Sequence, residues 1–246
     1  IANVLKLKEQ GIHFIGPNKG EMACGEVGYG KMASVQEIKK EIDYLLKPGI
    51  LTGKRALVTS GPTIEQIDPV RFISNNSSGK QGHAIADALR RHGADTKLIS
   101  GPVNIKDPEN MKVTKVNSAE EMLHECRESL PVDIAVFAAA VSDWKCSKTS
   151  NIKIKKTSEN DELNLNLEKN QDILKEISTL NKNRPDLVIG FSLETDNLIE
   201  TAKEKLKNKS CDWIIANEHH NGKESVFDSD MNSVKLVEND NLEDWG

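Results

Sequence analysis

The 246-residue chain has no apolar run that approaches the length of a membrane span, so no membrane contact is expected. It has no secretory leader pattern, because Asn3, Lys6, Lys8 and Glu9 interrupt the first apolar residues. Its four cysteines, Cys24, Cys126, Cys146 and Cys211, lack zinc-like spacing and read as reduced thiols of a cytoplasmic protein. Neither sign of charge dominates. Lys+Arg (33) is mixed with Asp+Glu (38), the formal net charge is −5, and no half is strongly basic, which argues against nucleic acid as a partner. Two phosphate-binding signatures are also missing. No GxxxxGK[ST] occurs, and Gly79-Lys-Gln-Gly82 supplies only the last two glycines of a dinucleotide fingerprint, with Ser77 in place of the first.

What is present is an alternation of strand-like and helix-like runs. Residues 1–46 read as a small α/β fragment. It has a helix ending near Gly11, a short strand at His13–Gly16 and a turn at Pro17 and Gly20. A loop with Gly25, Gly28 and Gly30 follows, then a helix from Ser34 to about Leu46. Ser34-Val-Gln-Glu37 has the capping-box pattern. The opening IANVLKLKEQG resembles the middle of a helix, so the chain is expected to be part of a longer polypeptide. Residues 47–53 form a Pro- and Gly-containing linker. From 54 to 246, strands are expected at 55–60, 95–100, 112–116, 133–139, 186–192, 211–216 and 233–238. Helices are expected at 80–92, 118–129, 171–180 and 197–209, with Ser118–Glu121 a second capping box and Asn170 a helix cap. This order predicts an α/β fold, a doubly wound, mainly parallel Rossmann-like sheet that binds ligands at the carboxyl ends of its strands. Residues 142–168 break the alternation. Ile152–Lys156 and Leu163–Leu167 each alternate apolar and polar residues, which predicts a two-stranded β arm with its turn at Ser158–Asp161. Such a ribbon needs a partner subunit or a ligand to pack on.

The chain is organised around Thr59–Gly82, TSGPTIEQIDPVRFISNNSSGKQG, an enlarged strand-to-helix turn of the kind that holds phosphates. Lys80 follows Gly79 at a helix start, where amides and an ammonium suit an anion; alone it reads better as a solvated helix lysine. Asn75 and Asn76 lie mid-loop, as oxyanion donors or as turn residues. Asp143 closes the small-residue strand end Phe137-Ala-Ala-Ala-Val-Ser-Asp, as a ribose or cation ligand or as a cap. Lys153 and Lys155 share one strand face and Lys156 takes the other. Lys205 and Lys209, at i and i+4, share a helix face distinct from the apolar stripe of Leu198, Ala202 and Leu206. Cys24 sits among small residues, with no histidine partner identified. His219-His220 reads as surface loop.

Together, SGPTIEQIDPVRFISNNSSGKQG, FAAAVSDW, KIKK, KNQDIL and GFSLET, in this order, resemble the phosphopantothenate–cysteine ligase domain of the bifunctional coenzyme A biosynthesis family. ACGEVGYGKMA resembles the end of that family's flavin-dependent phosphopantothenoylcysteine decarboxylase domain. The resemblance runs from about His13 to Val237. It implies residues 1–46 as the C-terminal fragment of a flavodoxin-like decarboxylase domain, 47–53 as linker and 54–246 as the ligase domain. It implies CTP and Mg2+ or another divalent cation, with 4'-phosphopantothenate and L-cysteine as partners and an acyl-cytidylate as intermediate. A homodimer through the ligase domain is expected. FMN would be bound only with the rest of the decarboxylase, so decarboxylation is not expected of residues 1–46.

By resemblance, Asn75 handles the acyl-cytidylate, Lys153 neutralises phosphate charge, and Cys24 is the decarboxylase cysteine. Ala138, Ala139, Ala140, Val141 and Asp143 match nucleotide-contact positions, as do Asn170, Gln171, Asp172, Ile173, Phe191, Lys205 and Lys209. Gly61, Ser77, Ser78, Gly79 and Lys80 form the substrate or phosphate loop, and the metal ligands are unassigned. Lys31 stands where the family usually has Arg, which loses a bidentate fork. Gln171 replaces a frequent Pro, which would only preset a helix start. Leu242–Gly246 comes before a final helix the family usually has. A nicotinamide-dependent oxidoreductase is disfavoured by the missing fingerprint and by the lack of an acidic residue in Ile99-Ser-Gly-Pro. A non-catalytic dimerisation or ligand-sensing module is the remaining alternative.

Overall fold

The computed structural model describes residues 2–21, 25, 27–46, 49–155, 163–194, 197–218, 233–239 and 241–245. The chain divides into two units, Ile1–Ile50 and Leu51–Gly246.

The first unit contains α1 (Ala2–Glu9), an antiparallel pair β1 (Asn18–Glu21) and β2 (Val27–Lys31), and α2 (Val35–Leu46). The capping box forms at the start of α2. Ser34 Oγ accepts from Glu37 N at 3.2 Å, and the Glu37 carboxylate accepts from Ser34 N at 2.6 Å and from Asn18 Nδ2 at 3.0 Å. These hydrogen bonds hold the Glu37 pKa below its ordinary value, the Ser34 backbone bond most. His13–Gly16 is not a strand. That run finds no pairing partner, and the strand instead occupies Asn18–Glu21, opposite the glycine-rich segment expected to be loop.

The second unit is built on one eight-stranded sheet. In chain order its elements are β3 (Arg55–Ser60), β4 (Ile64–Gln66), β5 (Phe72–Ser74), α3 (Lys80–Arg91), β6 (Asp95–Ser100), β7 (Lys112–Lys115) and α4 (Ala119–Glu128). Then come β8 (Ile134–Phe137), β9 (Trp144–Cys146), β10 (Leu167–Lys169), α5 (Ile173–Ser178), β11 (Leu187–Glu194), α6 (Leu198–Lys209), β12 (Trp213–Glu218), β13 (Val234–Val237) and β14 (Leu242–Asp244). The sheet order is β14-β13-β12-β11-β8-β3-β6-β7, parallel from β12 to β7 and antiparallel at β13 and β14. This is the doubly wound, mainly parallel sheet that the alternation predicts. After β3 the chain adds β6 and β7 on one side, then returns to place β8 on the other. The gap between the carboxyl ends of β3 and β8 is therefore a topological switch point.

Helices cover both faces. On one face, Ala86 of α3 packs with Val58, Leu98 and Val136. On the other, Met122 and Leu123 of α4, Ile173 and Ile177 of α5, and Ala202 and Leu206 of α6 pack on Leu57, Ile99, Val188 and Ile214. Leu57, Ile99, Met122 and Ile214 are completely buried; each such side chain contributes about 1.5–3 kcal/mol of transfer free energy.

Two expectations need correction. The β arm pairs not Ile152–Lys156 with Leu163–Leu167 but Trp144–Cys146 with Leu167–Lys169. Ile154 cannot join a ladder because its backbone N–H and C=O are taken by the Asp68 and Arg71 side chains, and Leu163 and Leu165 stay exposed. The turn at Ser158–Asp161 lies outside the described residues. Helix α5 is capped by Asp172, whose Oδ1 accepts from Lys175 N at 3.1 Å, so it starts at Ile173 rather than after Asn170.

Candidate active site

The long segment after β3 is a folded body. Its β4–β5 hairpin is tied to the start of α4: Ile64 N donates to Asn117 O at 2.8 Å, and the buried Glu65 carboxylate accepts from Ala119 N at 3.0 Å. Returning from the hairpin, the chain crosses the switch point and enters α3 through Gly79, whose φ of 74° places it in the left-handed region that glycine tolerates. Gly82 in the first turn admits the closest helix–strand approach. A Cβ there would lie 2.5 Å from Ser60 Oγ and 3.0 Å from Thr59 O. Ser60 Oγ donates to Gly79 O at 2.9 Å and contacts His83 Nδ1 at 2.9 Å, so the end of β3 grips the start of α3.

The loop after β8 runs beside this segment. Ala138 N donates to Thr59 O at 3.2 Å and Ala140 N to Gly61 O at 2.9 Å, while Ser142 N donates to Thr63 Oγ1 at 3.0 Å. Asn75 Nδ2 donates to Val141 O at 3.0 Å, which joins the two loops across the switch point.

Between these loops and the ends of β11 and β12 opens a cleft of about 1330 Å³. It is lined by residues 74–82, by 137–144, by 169–174 and by Phe191, Ser192, Lys205, Lys209 and Asn217. The sequence-predicted residues Asn75, Ser77, Ser78, Gly79 and Lys80 line it. So do Ala138–Val141, Asp143, Asn170–Ile173, Phe191, Lys205 and Lys209. Gly61 lies behind the lining, against Gly101 and Val103. Lys153 is exposed and outside the lining, and Cys24 is outside the described residues.

Charge in the cleft favours an anion. Lys80, Lys169, Lys205 and Lys209 outnumber Asp143 and Asp172 among the lining residues. Lys205 Nζ donates to Ser192 Oγ at 3.0 Å, and Lys209 pairs with Asp172. The small residues of 138–141 line the cleft without filling it. Two buried polar atoms of lining residues, Asn170 Nδ2 and Asn217 Oδ1, have no hydrogen-bond partner. Leaving each unmatched costs about 1–3 kcal/mol. One is a donor and one an acceptor, so a ligand with both kinds of group would satisfy them.

Sequence reasoning missed Asn217 and Gln81, whose amides approach to 3.5 Å across α3 and β12. Asn217 sits at the carboxyl end of a predicted strand, a position that could have marked it. Among the described residues no cluster of three His, Cys, Asp or Glu side chains could hold a metal ion, and no helix is long and apolar enough to cross a membrane.

The chain is 42% identical over 236 residues to the coenzyme A biosynthesis bifunctional protein CoaBC of Haemophilus influenzae, covering 95% of this chain and 58% of that protein. It is 44% identical over 218 residues to a cysteine/cysteine sulfinic acid decarboxylase of an unknown prokaryotic organism, covering 86% of this chain and 60% of that protein. The chain thus spans less than two thirds of the curated relatives it matches. Among solved structures it resembles the C-terminal domain of CoaBC, with a TM-score of 0.65 and 33% identity over 80% of this chain and 88% of that one. A Cab2 mutant in complex with phosphopantothenate-cysteine, at 18% identity and a TM-score of 0.61 over 88% of this chain and 89% of that one, shares the fold. The DNA/pantothenate metabolism flavoprotein C-terminal domain family matches residues 51–245, and the chain belongs to that family.

Proposed function

We propose that the second unit is a ligase of coenzyme A biosynthesis that joins 4'-phosphopantothenate to L-cysteine with CTP as the activating nucleotide. The observation that carries this reading is the cleft at the switch point, where Asn75, the start of α3, Lys205 and Lys209 converge. The kinship with CoaBC proteins supports it.

In this reading the carboxylate oxygen of 4'-phosphopantothenate attacks the α-phosphorus of CTP. The bond to the bridging oxygen breaks, and pyrophosphate leaves with the electron pair. The cysteine amine then attacks the carbonyl carbon of the acyl-cytidylate. CMP leaves, the amine proton passes to solvent, and the amide remains. Asn75 Nδ2 commits one N–H to Val141 O and has a second for the carbonyl oxygen as it gains charge. Lys205 and Lys209, one helical turn apart, and the first turn of α3 neutralise phosphate oxygens. Asp143 faces a ribose hydroxyl, Phe191 stacks on the base, and Lys153 approaches from its exposed segment. With no three-ligand cage among the described residues, Mg2+ would arrive on the triphosphate, where it offsets charge on the leaving pyrophosphate. Residues 1–46 would close a decarboxylase domain whose body binds FMN and uses Cys24. Exposed Val70 and Phe72 on the hairpin, with Ile152 beside it, support a homodimer, and the protein would act in the cytoplasm.

The test is pyrophosphate release with CTP, Mg2+ and 4'-phosphopantothenate, with and without cysteine. Release that requires 4'-phosphopantothenate, followed by CMP and amide once cysteine is added, is expected. CTP binding without release would leave a sensing module. Carbon dioxide from cysteine alone would favour the chemistry named for the decarboxylase relative.

A further inference from the structure

At the tip of the β4–β5 hairpin, Asp68 is an ionic centre outside the cleft. Its side chain is completely shielded from solvent. Oδ1 accepts from Val70 N at 2.8 Å and Arg71 N at 2.9 Å, and Oδ2 accepts from Arg71 Nε at 3.0 Å and Nη2 at 2.5 Å. Oδ2 also accepts from Ile154 N at 3.1 Å, while Arg71 Nη2 donates to Ile154 O at 2.7 Å. The carboxylate and guanidinium therefore read both polar groups of one residue 86 positions away, as a neighbouring strand would. Ser150 N donates to Ile67 O at 3.0 Å, a second tie between the same two segments. A turn needs only the first two of these bonds. The bonds to Ile154 serve the segment that carries Lys153 and Lys155 on either side of it.

We propose that Asp68, through Arg71 and the Ile154 peptide, is a positioning residue that holds Lys153 in register with the loop bearing Asn75. The hairpin and Asn75 belong to one body, since Ser74 Oγ donates to Thr63 O at 2.7 Å and Asn75 is held on Val141 O. Clamping Ile154 to that body sets where an otherwise exposed lysine segment stands relative to the cleft. The inference rests on the ligase reading for the task of Lys153; the clasp itself rests on geometry alone.

The test pairs kinetics with proteolysis on the full chain. In Asp68→Asn one carboxylate oxygen becomes an NH2 group facing N–H donors, so the clasp opens without a change of size. We expect trypsin to cut after Lys153 and Lys155 several-fold faster, because local opening becomes easier. We expect kcat for pyrophosphate release to fall roughly tenfold to a hundredfold with KM for CTP within about twofold, the pattern of a misplaced group rather than a lost binding contact. If Asp68 acts through Lys153, Asp68→Asn combined with Lys153→Gln is no slower than Lys153→Gln alone. Should Asp68→Asn fail to fold, Arg71→Lys keeps the charge but loses the planar fork shared between Asp68 and the Ile154 carbonyl, and should show the same two effects. Unchanged cleavage, or kinetic losses that multiply in the double variant, would overturn the proposal, as would wild-type kcat in Lys153→Gln. A wild-type protein that releases no pyrophosphate would end the ligase reading by itself, and the cleavage rates would still decide the clasp.

Discussion

Two aspartates far apart in sequence use the same chemistry to join segments. Asp133, just before β8, accepts from Arg55 N at 2.7 Å and pairs with Lys54 at 3.1 Å, so it ties the start of β3 to the start of β8. The Arg55 N–H is the first cause holding its pKa below the ordinary value. The Arg71 guanidinium does the same for Asp68, more strongly. For both groups the folded pKa lies below the unfolded value of about 3.9, so their stabilisation is full above that pH and disappears as pH falls through the folded value. The urea midpoint is therefore expected to be flat near neutrality and to fall below about pH 4. Asp133→Asn should lower the midpoint at pH 7 and flatten the acid limb. An acid limb as steep as that of the wild type would show that other carboxylates dominate. At this scale sequence reading is weakest. Asn75, Asp143, Lys205 and Lys209 each have a reading as turn, cap or solvated charge at least as good as the functional one, and only their joint order in the chain singled them out. Asn217 had only its place at a strand end to mark it, and the turn around Asp68 carried no sign of its bonds to Ile154, 86 positions away.

Elements with strong local patterns were legible. Runs such as Ala56–Val58, Leu98–Ile99 and Ile134–Phe137, flanked by polar or small residues, stand where they were expected, and Ser118 caps α4 through Glu121 N. The three-residue strands β4, β5, β9, β10 and β14 were not legible, since three residues hold too little periodicity to rise above a loop. The joint between β3 and α3 is the element-scale feature on which the cleft depends, and Gly82 tests it. Alanine there gains about 1 kcal/mol of helix propensity. Its Cβ, however, would stand 2.6 Å from Ser60 Cβ and 3.0 Å from Thr59 O, both on the central strand. Thr59 is almost wholly buried and cannot yield, so overpacking of about 1–3 kcal/mol should win. Gly82→Ala is expected to lower the urea midpoint and weaken CTP binding together, since α3 must back away from β3 and take its first-turn amides with it. Equal or higher stability would mean that the helix start adjusts without moving the cleft wall.

For the whole molecule, the distribution of buried apolar side chains decides what folds alone. In the second unit they form continuous layers on both faces of the sheet. In the first unit Ala33 is the only buried hydrophobic residue among those described, while Val27, Tyr29, Met32 and Val35 are 72–76% exposed. The described residues of the first unit bury too little apolar surface to offset the conformational entropy of ordering, about 1–2 kcal/mol per residue for the backbone. Residues 51–246 are therefore expected to unfold as one cooperative unit, with a midpoint within about 2 °C of the full chain. They should release pyrophosphate at the same kcat, because every residue lining the cleft lies in the second unit. Residues 1–50 alone should show no cooperative melt by circular dichroism. A large drop in midpoint on removing them would mean that the apolar side chains of the first unit are stabilised against the second. An unchanged midpoint with lost activity would mean that the first unit contributes to catalysis without contributing to the fold, and the site could no longer be assigned to the cleft alone.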